Sequence, residues 1–241
     1  MNIWKLCDGG NHIISLHAEP WRVVEAQHIL SSRDLVDSSE EHDLLETMLE
    51  ASKPPINTEK HYLIFTPFRY PPLAYGSRFG YTYEPSLWYG SVTLETAFAE
   101  VAYYRHRFFK DTEAELGYIE ISVTAFSADL QTNFGIDLTE RPFSQYTPHI
   151  SDKNSYAYSQ PLGSAMRGAK IEAFCYFSAR TSAPSKNVAA YLPDIFQMKK
   201  HQYIHHQQNW ICMASQSSIE FVRLDFAKQN RICFDFYAAL S

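Results

Sequence analysis

Four short runs place residues capable of chemistry within about thirty positions of one another: Phe68-Arg69-Tyr70, Gly76-Ser77-Arg78-Phe79-Gly80, Trp88-Tyr89-Gly90-Ser91 and Ala97-Phe98-Ala99-Glu100. Arginine presents a planar fork of donors that grips a phosphate through two charge-assisted bonds, each contributing roughly 1.5–3 kcal/mol. Gly76 and Gly80, on either side of Arg78, let an anionic ligand approach the backbone. Tyr70 and Tyr89 can sandwich a flat base, and Glu100 can stabilise positive charge developing on a sugar carbon. The set points to a phosphorylated or nucleotide ligand and to cleavage of an N-glycosidic bond. The same residue types also serve structure, as loop aromatics filling a satellite core and an arginine in an ion pair, and composition does not choose between the two.

Other signals are weaker. His201 and His205 would stand one turn apart on a helix, with His206 beside them, but no HExxH glutamate follows and no cysteine lies at ligand spacing. A solvated histidine-rich loop is the expectation, with no metal. No GxGxxG opens a βαβ unit, and neither GxSxG nor GxxxxGK[ST] occurs, which sets aside the simplest Rossmann, hydrolase and kinase readings. Asp152 and Asp194 could join acid/base pairs, but nothing around them singles them out.

The 241 residues, 45% hydrophobic and 15% aromatic, suffice for a packed core and exclude disorder. With 21 basic and 27 acidic residues the net charge is −6, which disfavours direct binding of nucleic acid. Cys7, Cys175, Cys212 and Cys233 form no CxxC pair and are too few for a disulfide framework, so a reducing cytoplasm is expected. No signal-peptide pattern and no run of about 18 apolar residues appears, so a membrane partner is not expected.

Positioning these residues requires a scaffold, and the pattern reads as α+β. Pro20, Trp21, Val24 and Leu30 suggest a first helix; Ser38 or Ser39 can cap a second, with Leu44, Leu45, Met48 and Leu49 as its apolar stripe and Lys53-Pro54-Pro55 at its end. Residues 1–58 thus read as a small N-terminal helical appendage without chemistry, its many acidic side chains forming a solvated face, and 59–241 as the catalytic domain. Tyr62 to Phe65 look like a short strand, followed by a long ordered loop from Thr66 to Pro85. Leu87 to Tyr89 suit a strand, and Ser91 or Thr93 caps a helix carrying Leu94, Ala97, Phe98, Val101 and Ala102 on one face, with Glu100 beside it. Clean alternation from Tyr118 to Ala125 marks a half-buried strand of antiparallel type. A helix over Gln160 to Lys170 ends at Gly168; strands follow at Ile171–Phe177, Val188–Tyr191, Trp210–Ala214 and Ile219–Leu224.

The order and spacing of these residues resemble the RES domain, a family of bacterial toxins from toxin-antitoxin pairs. The family's glycine-arginine-aromatic motif resembles Gly76-Ser77-Arg78-Phe79; its tyrosine resembles Tyr89, eleven positions on, and its helical glutamate resembles Glu100, eleven further. Its earlier arginine-tyrosine pair resembles Arg69-Tyr70, its late serine Ser178, its helix-opening segment Ser159 to Gly163, and its strand-opening asparagine Asn187. The likeness covers about residues 60 to 225. Where the family often has two glycines, arginine, tryptophan and asparagine, this chain has Gly76-Ser77-Arg78-Phe79-Gly80, so Ser77 or the Gly80 backbone is expected to take the asparagine's place. The resemblance implies an ADP-ribosyltransferase-like split antiparallel sheet with inserted helices, and a toxin that destroys NAD⁺ at the nicotinamide-ribose bond with phosphate or water as acceptor. NAD⁺ would be the substrate, inorganic phosphate a co-substrate, and no bound cofactor is implied. Arg78, aided by Arg69, would hold the pyrophosphate or the phosphate; Tyr70 and Tyr89 would frame the nicotinamide-ribose; Glu100 would orient the ribose hydroxyls and stabilise the transition state; Ser178 would bond ligand or glutamate. A partner of the Xre helix-turn-helix type, an antitoxin covering the site, is also implied. ADP-ribose transfer to a macromolecule, nucleotide binding without cleavage and a structural interaction protein without a ligand are the alternatives.

Overall fold

The computed structural model of the chain describes residues 1–26, 36–52, 60–70, 72–113, 116–224 and 230–236. Its strands are β1 (Ile14–Ala18), β2 (Trp21–Glu25), β3 (Trp88–Ser91), β4 (Tyr118–Ser127), β5 (Leu130–Asp137), β6 (Ala173–Phe177), β7 (Lys186–Ala190), β8 (His205–Ser215), β9 (Ser218–Arg223) and β10 (Arg231–Asp235). All lie in one sheet ordered β1-β5-β6-β7-β3-β2-β4-β8-β9-β10. The described pairings are antiparallel except β5 with β6. The sheet is split in the middle, because β2 and β3 share a single register pair, Trp21 with Ser91. The described α-helices are α1 (Ile3–Leu6), α2 (Ser39–Ser52), α3 (Tyr62–Arg69), α4 (Leu94–Asp111), α5 (Thr147–Ile150) and α6 (Ser159–Gly168). No described helix is long and apolar enough to cross a membrane.

The period-two alternation sets the two faces of the first half-sheet. Trp88, Ala173, Cys175, Val188 and Ala190 turn one way and pack with Leu63 and Ile64 of α3. Phe174, Tyr176, Ala189 and, less buried, Tyr89 turn the other way, toward Leu162 and Met166 of α6. In the second half, α4 buries Ala97, Phe98 and Ala102 against Val123, Ala125, Trp210 and Phe221. Thr93 caps α4, its Oγ1 accepting from the Thr96 N–H at 3.2 Å.

Three local expectations fail. Residues 21–25 form β2, not a helix: Trp21, Val23 and Val24 are strand-preferring, and their backbone groups pair with Ser127, Ala125 and Thr124 of β4. With β1 bonded to β5 as well, the first strands belong to the sheet and do not form a helical appendage. Residues 62–65 are the start of α3, not a strand; His61 Nδ1 accepts from the Leu63 N–H at 3.3 Å, and Leu63, Ile64 and Phe68 form one helical stripe against the Trp88 face. The expected loop at 66–85 therefore begins only after Arg69. The helix expected near 38 is present as α2, opened by a capping box in which Ser38 Oγ accepts from the Glu41 N–H (3.1 Å) and Glu41 Oε2 from the Ser38 N–H (3.3 Å). Its Leu44 and Met48 are exposed and do not pack. The part of the first helix beyond residue 26, the Lys53-Pro54-Pro55 stop and the 58/59 boundary lie outside the described residues.

Candidate active site

Glu100 leaves α4 on the side away from its apolar stripe and reaches the half-sheet that α4 does not cover. Its Oε1 accepts from Ser178 Oγ, just past β6, and from Asn187 Nδ2, on β7, both at 2.7 Å. Asn187 is 2% exposed and its Oδ1 accepts from Ser91 Oγ at 2.7 Å, while Ser178 Oγ accepts from the Arg180 N–H at 3.1 Å. The carboxylate is thus held by two charge-assisted bonds to one oxygen, and Oε2 takes neither. Ser178 was foreseen as a bonding partner of ligand or glutamate. Asn187 stood out only through the family pattern, because its value depends on a contact 87 positions away in sequence.

Arg78 sits in a turn closed by the Ser77 N–H to Gly80 carbonyl bond at 2.8 Å. Gly76 has φ +69° and a Cβ there would stand 2.3 Å from the Gly80 oxygen, so glycine is required. Phe79, fully buried between Phe174 and Tyr176 with ring centroids at 4.7 and 4.8 Å, pins the turn to the sheet. Gly163 of α6 permits this approach, since a Cβ would meet the Phe79 carbonyl oxygen at 2.0 Å. Gln160 Nε2 braces the turn through the Tyr75 and Ser77 carbonyls at 3.0 and 3.1 Å. With its backbone held, Arg78 donates through Nη1 to the Asp152 and Ile150 carbonyls at 2.8 and 3.3 Å, and its guanidinium lies 5.1 Å from the centre of the Tyr156 ring.

Tyr89 connects the turn to the sheet. Its hydroxyl bonds Ser77 Oγ at 2.8 Å and accepts from the Phe79 N–H at 3.3 Å. Burial pushes this phenol up to about 12, with the Ser77 bond opposing. Ser77 thus fills a place in the network at the position where the family often has glycine. Tyr176 marks where the parts converge: burial holds its phenol well above the ordinary range, the negative charge of Glu100 adds to that, and Arg78 opposes it. Arg78, Tyr89 and Glu100 therefore all act on one buried phenol.

Arg69 and Tyr70 belong to a different setting. They end α3, which packs on the Trp88 face; the Arg69 guanidinium stands 5.9 Å from the Phe65 ring centre, and the Tyr70 carbonyl accepts from Ser86 Oγ at 3.0 Å. The histidine expectation changes as well. His205 and His206 open strand β8, so the helical pair with His201 does not form, and His206 Nε2 stands 3.7 Å from Glu19. Among the described residues no three His, Cys, Asp or Glu side chains gather as metal ligands.

No curated protein matches the chain. A structure search returns the crystal structure of the M. tuberculosis MbcT-MbcA toxin-antitoxin complex, at 10% identity and a TM-score of 0.49, over 86% of this chain and 91% of that one. The model of the RES domain family matches residues 55–212, a stretch that holds the Arg78 turn, Tyr89, Glu100, Ser178 and Asn187. That match spans well over half of the sequence, and the chain belongs to the RES domain family.

Proposed function

We propose that this protein is the toxin of a bacterial toxin-antitoxin pair and degrades NAD⁺ by cleaving the bond between nicotinamide and ribose. The observation that carries the reading is the Glu100 carboxylate, anchored through one oxygen by Ser178 and Asn187 beside a cationic turn. In this reading Oε2 faces the ribose hydroxyls and the carboxylate's charge stabilises the oxocarbenium-like carbon as nicotinamide departs with the bonding electron pair. An oxygen of water or phosphate then bonds that carbon, giving ADP-ribose or its 1″-phosphate. Arg78 holds the anionic group and Tyr89 frames the nicotinamide-ribose. Arg69 and Tyr70, at the end of α3, are assigned to the outer part of the ligand. Membership of the RES domain family supports an antitoxin partner of helix-turn-helix type and action in the cytoplasm.

The test is incubation of the purified protein with NAD⁺, with and without inorganic phosphate, resolving products by chromatography and mass spectrometry. Nicotinamide release is expected, phosphate-dependent for a phosphorylase and phosphate-independent for a glycohydrolase. Glu100→Gln should lower the rate by about 10²–10³ without unfolding the protein. Intact NAD⁺ in both incubations, or undiminished loss with Glu100→Gln, refutes the mechanism.

A further inference from the structure

We infer that Arg180, together with Arg78, forms a two-guanidinium site for a phosphate oxyanion. This deepens the reading above, on which it rests for the class of ligand. Arg78 Nη1 donates to the Asp152 carbonyl at 2.8 Å and Arg180 Nη1 donates to the Lys153 carbonyl at 2.9 Å, so two cations are anchored on consecutive backbone carbonyls. Each cation is also fixed by an aromatic ring: Arg180 lies 3.3 Å from the centre of the Tyr103 ring, and Arg78 lies 5.1 Å from that of Tyr156. Two like charges anchored on neighbouring peptide groups favour an anion that both can reach. Among the described residues neither arginine forms an ion pair with a carboxylate, although the charge of Arg78 reaches Asp152. Asp152, the nearest acid in sequence, turns its carboxylate to the N–H groups of Asn154 and Ser155 at 2.7 and 2.9 Å, which hold it below the usual carboxylate range. Arg180 Nε is buried without a partner.

The position is one step from the reactive carboxylate. The Arg180 N–H donates to Ser178 Oγ, which donates to Glu100, so an oxyanion between the guanidiniums would sit beside the Glu100 network. Two planar forks suit the oxygens of one phosphoryl group or of two linked ones. Arg180 therefore takes the role of second cation that the sequence suggested for Arg69. The chemistry is shared by the diphosphate of a dinucleotide and by free inorganic phosphate.

Calorimetric titration of the full chain with ADP and, separately, with inorganic phosphate tests this without any turnover, so a failure of NAD⁺ cleavage leaves it decidable. Wild type should bind at least one probe, and Arg180→Gln should weaken that binding tenfold or more, with Arg180→Lys in between. Loss for ADP alone identifies a diphosphate site, and loss for phosphate alone a site for the free anion. As a check independent of any variant, ADP or phosphate should protect Arg180 of the wild-type protein from phenylglyoxal, read by peptide mass spectrometry. No binding of either probe, or unchanged binding by a folded Arg180→Gln, overturns the inference. Where Arg180→Gln does not fold, equal labelling of Arg180 with and without both probes overturns it.

Discussion

Replacing Asn187 by alanine separates the Glu100 network from ordinary packing. The side chain is 2% exposed and makes two bonds at 2.7 Å, donating to Glu100 Oε1 and accepting from Ser91 Oγ. Losing the bond to the carboxylate costs roughly 1.5–3 kcal/mol, and leaving the buried Ser91 hydroxyl without its acceptor costs roughly 1–3 more. The expected destabilisation is about 3–5 kcal/mol, which in a chain of this length lowers the melting temperature by roughly 6–20 °C. Urea unfolding followed by the fluorescence of the buried Trp88 and Trp210 reads it directly. Removing the stranded hydroxyl as well, in Ser91→Ala with Asn187→Ala, should recover about 1–2 kcal/mol relative to simple addition of the single changes. In the folded fraction NAD⁺ loss should fall about tenfold or more, through kcat with KM little changed, because the carboxylate has lost one of its two fixings. An Asn187→Ala protein within about 0.5 kcal/mol of wild type would show that the network does not hold Glu100, and strictly additive single and double variants would show that Ser91 and Asn187 are not coupled.

Three further outcomes follow from the Arg78 turn. Phe79→Ala empties a fully buried ring site and should cost roughly 3–5 kcal/mol in denaturant unfolding, weakening ADP binding in the folded remainder because Arg78 is no longer pinned. Gly76→Ala puts a side chain at φ +69° and a Cβ 2.3 Å from the Gly80 oxygen, so its unfolding free energy in urea should fall by more than the ~1–2 kcal/mol of left-handed strain alone. Tyr89 favours the neutral phenol when folded, with its titration raised from 10 to about 12, so its contribution is complete below pH 10 and is lost as pH rises through 12. Melting curves should accordingly fall more steeply between pH 10 and 12 for wild type than for Tyr89→Phe, by about 2–3 kcal/mol at full ionisation, and equal slopes would contradict the assignment.

Legibility in the sequence followed the range of the forces involved. α4, β4 and α6 announce themselves through local periodicity and nearby caps; β4 and α6 lie within a few residues of their expected limits, while α4 continues nine residues past Ala102. β2 did not, because Pro20 suits the first turn of a helix as well as the start of a strand, and only the ladder to β4 decides. α3 hid for the opposite reason: Tyr62-Leu63-Ile64-Phe65 is a run of strand-preferring residues, and its helical stripe becomes visible only once Phe68 joins Leu63 and Ile64 against Trp88. In the site, Arg78, Tyr89 and Glu100 were legible as residue types at regular spacing. The anchoring of Arg180 and Arg78 on neighbouring peptide groups was not, because the carbonyls of 152 and 153 carry no side-chain signature.

The split in the sheet explains why the carboxylate sits where it does. A single register pair, Trp21 with Ser91, joins the halves by backbone, so side chains must do more of the joining. α4 is committed by Phe98 and Ala102 to the β2-β4-β8-β9 half, and Arg105 on the same helix pairs with Glu25 of β2. Glu100 reaches across, accepting from Ser178 and Asn187 of the other half, while Ser91 at the junction bonds the same asparagine. The residue proposed to face the ribose is therefore also a clasp between the two half-sheets, and its orientation depends on both. A ligand that engages Glu100 from one side and Arg78 from the other spans that joint, and binding it should tighten the protein as a whole, with ligand stabilisation growing as RT ln(1 + [L]/Kd).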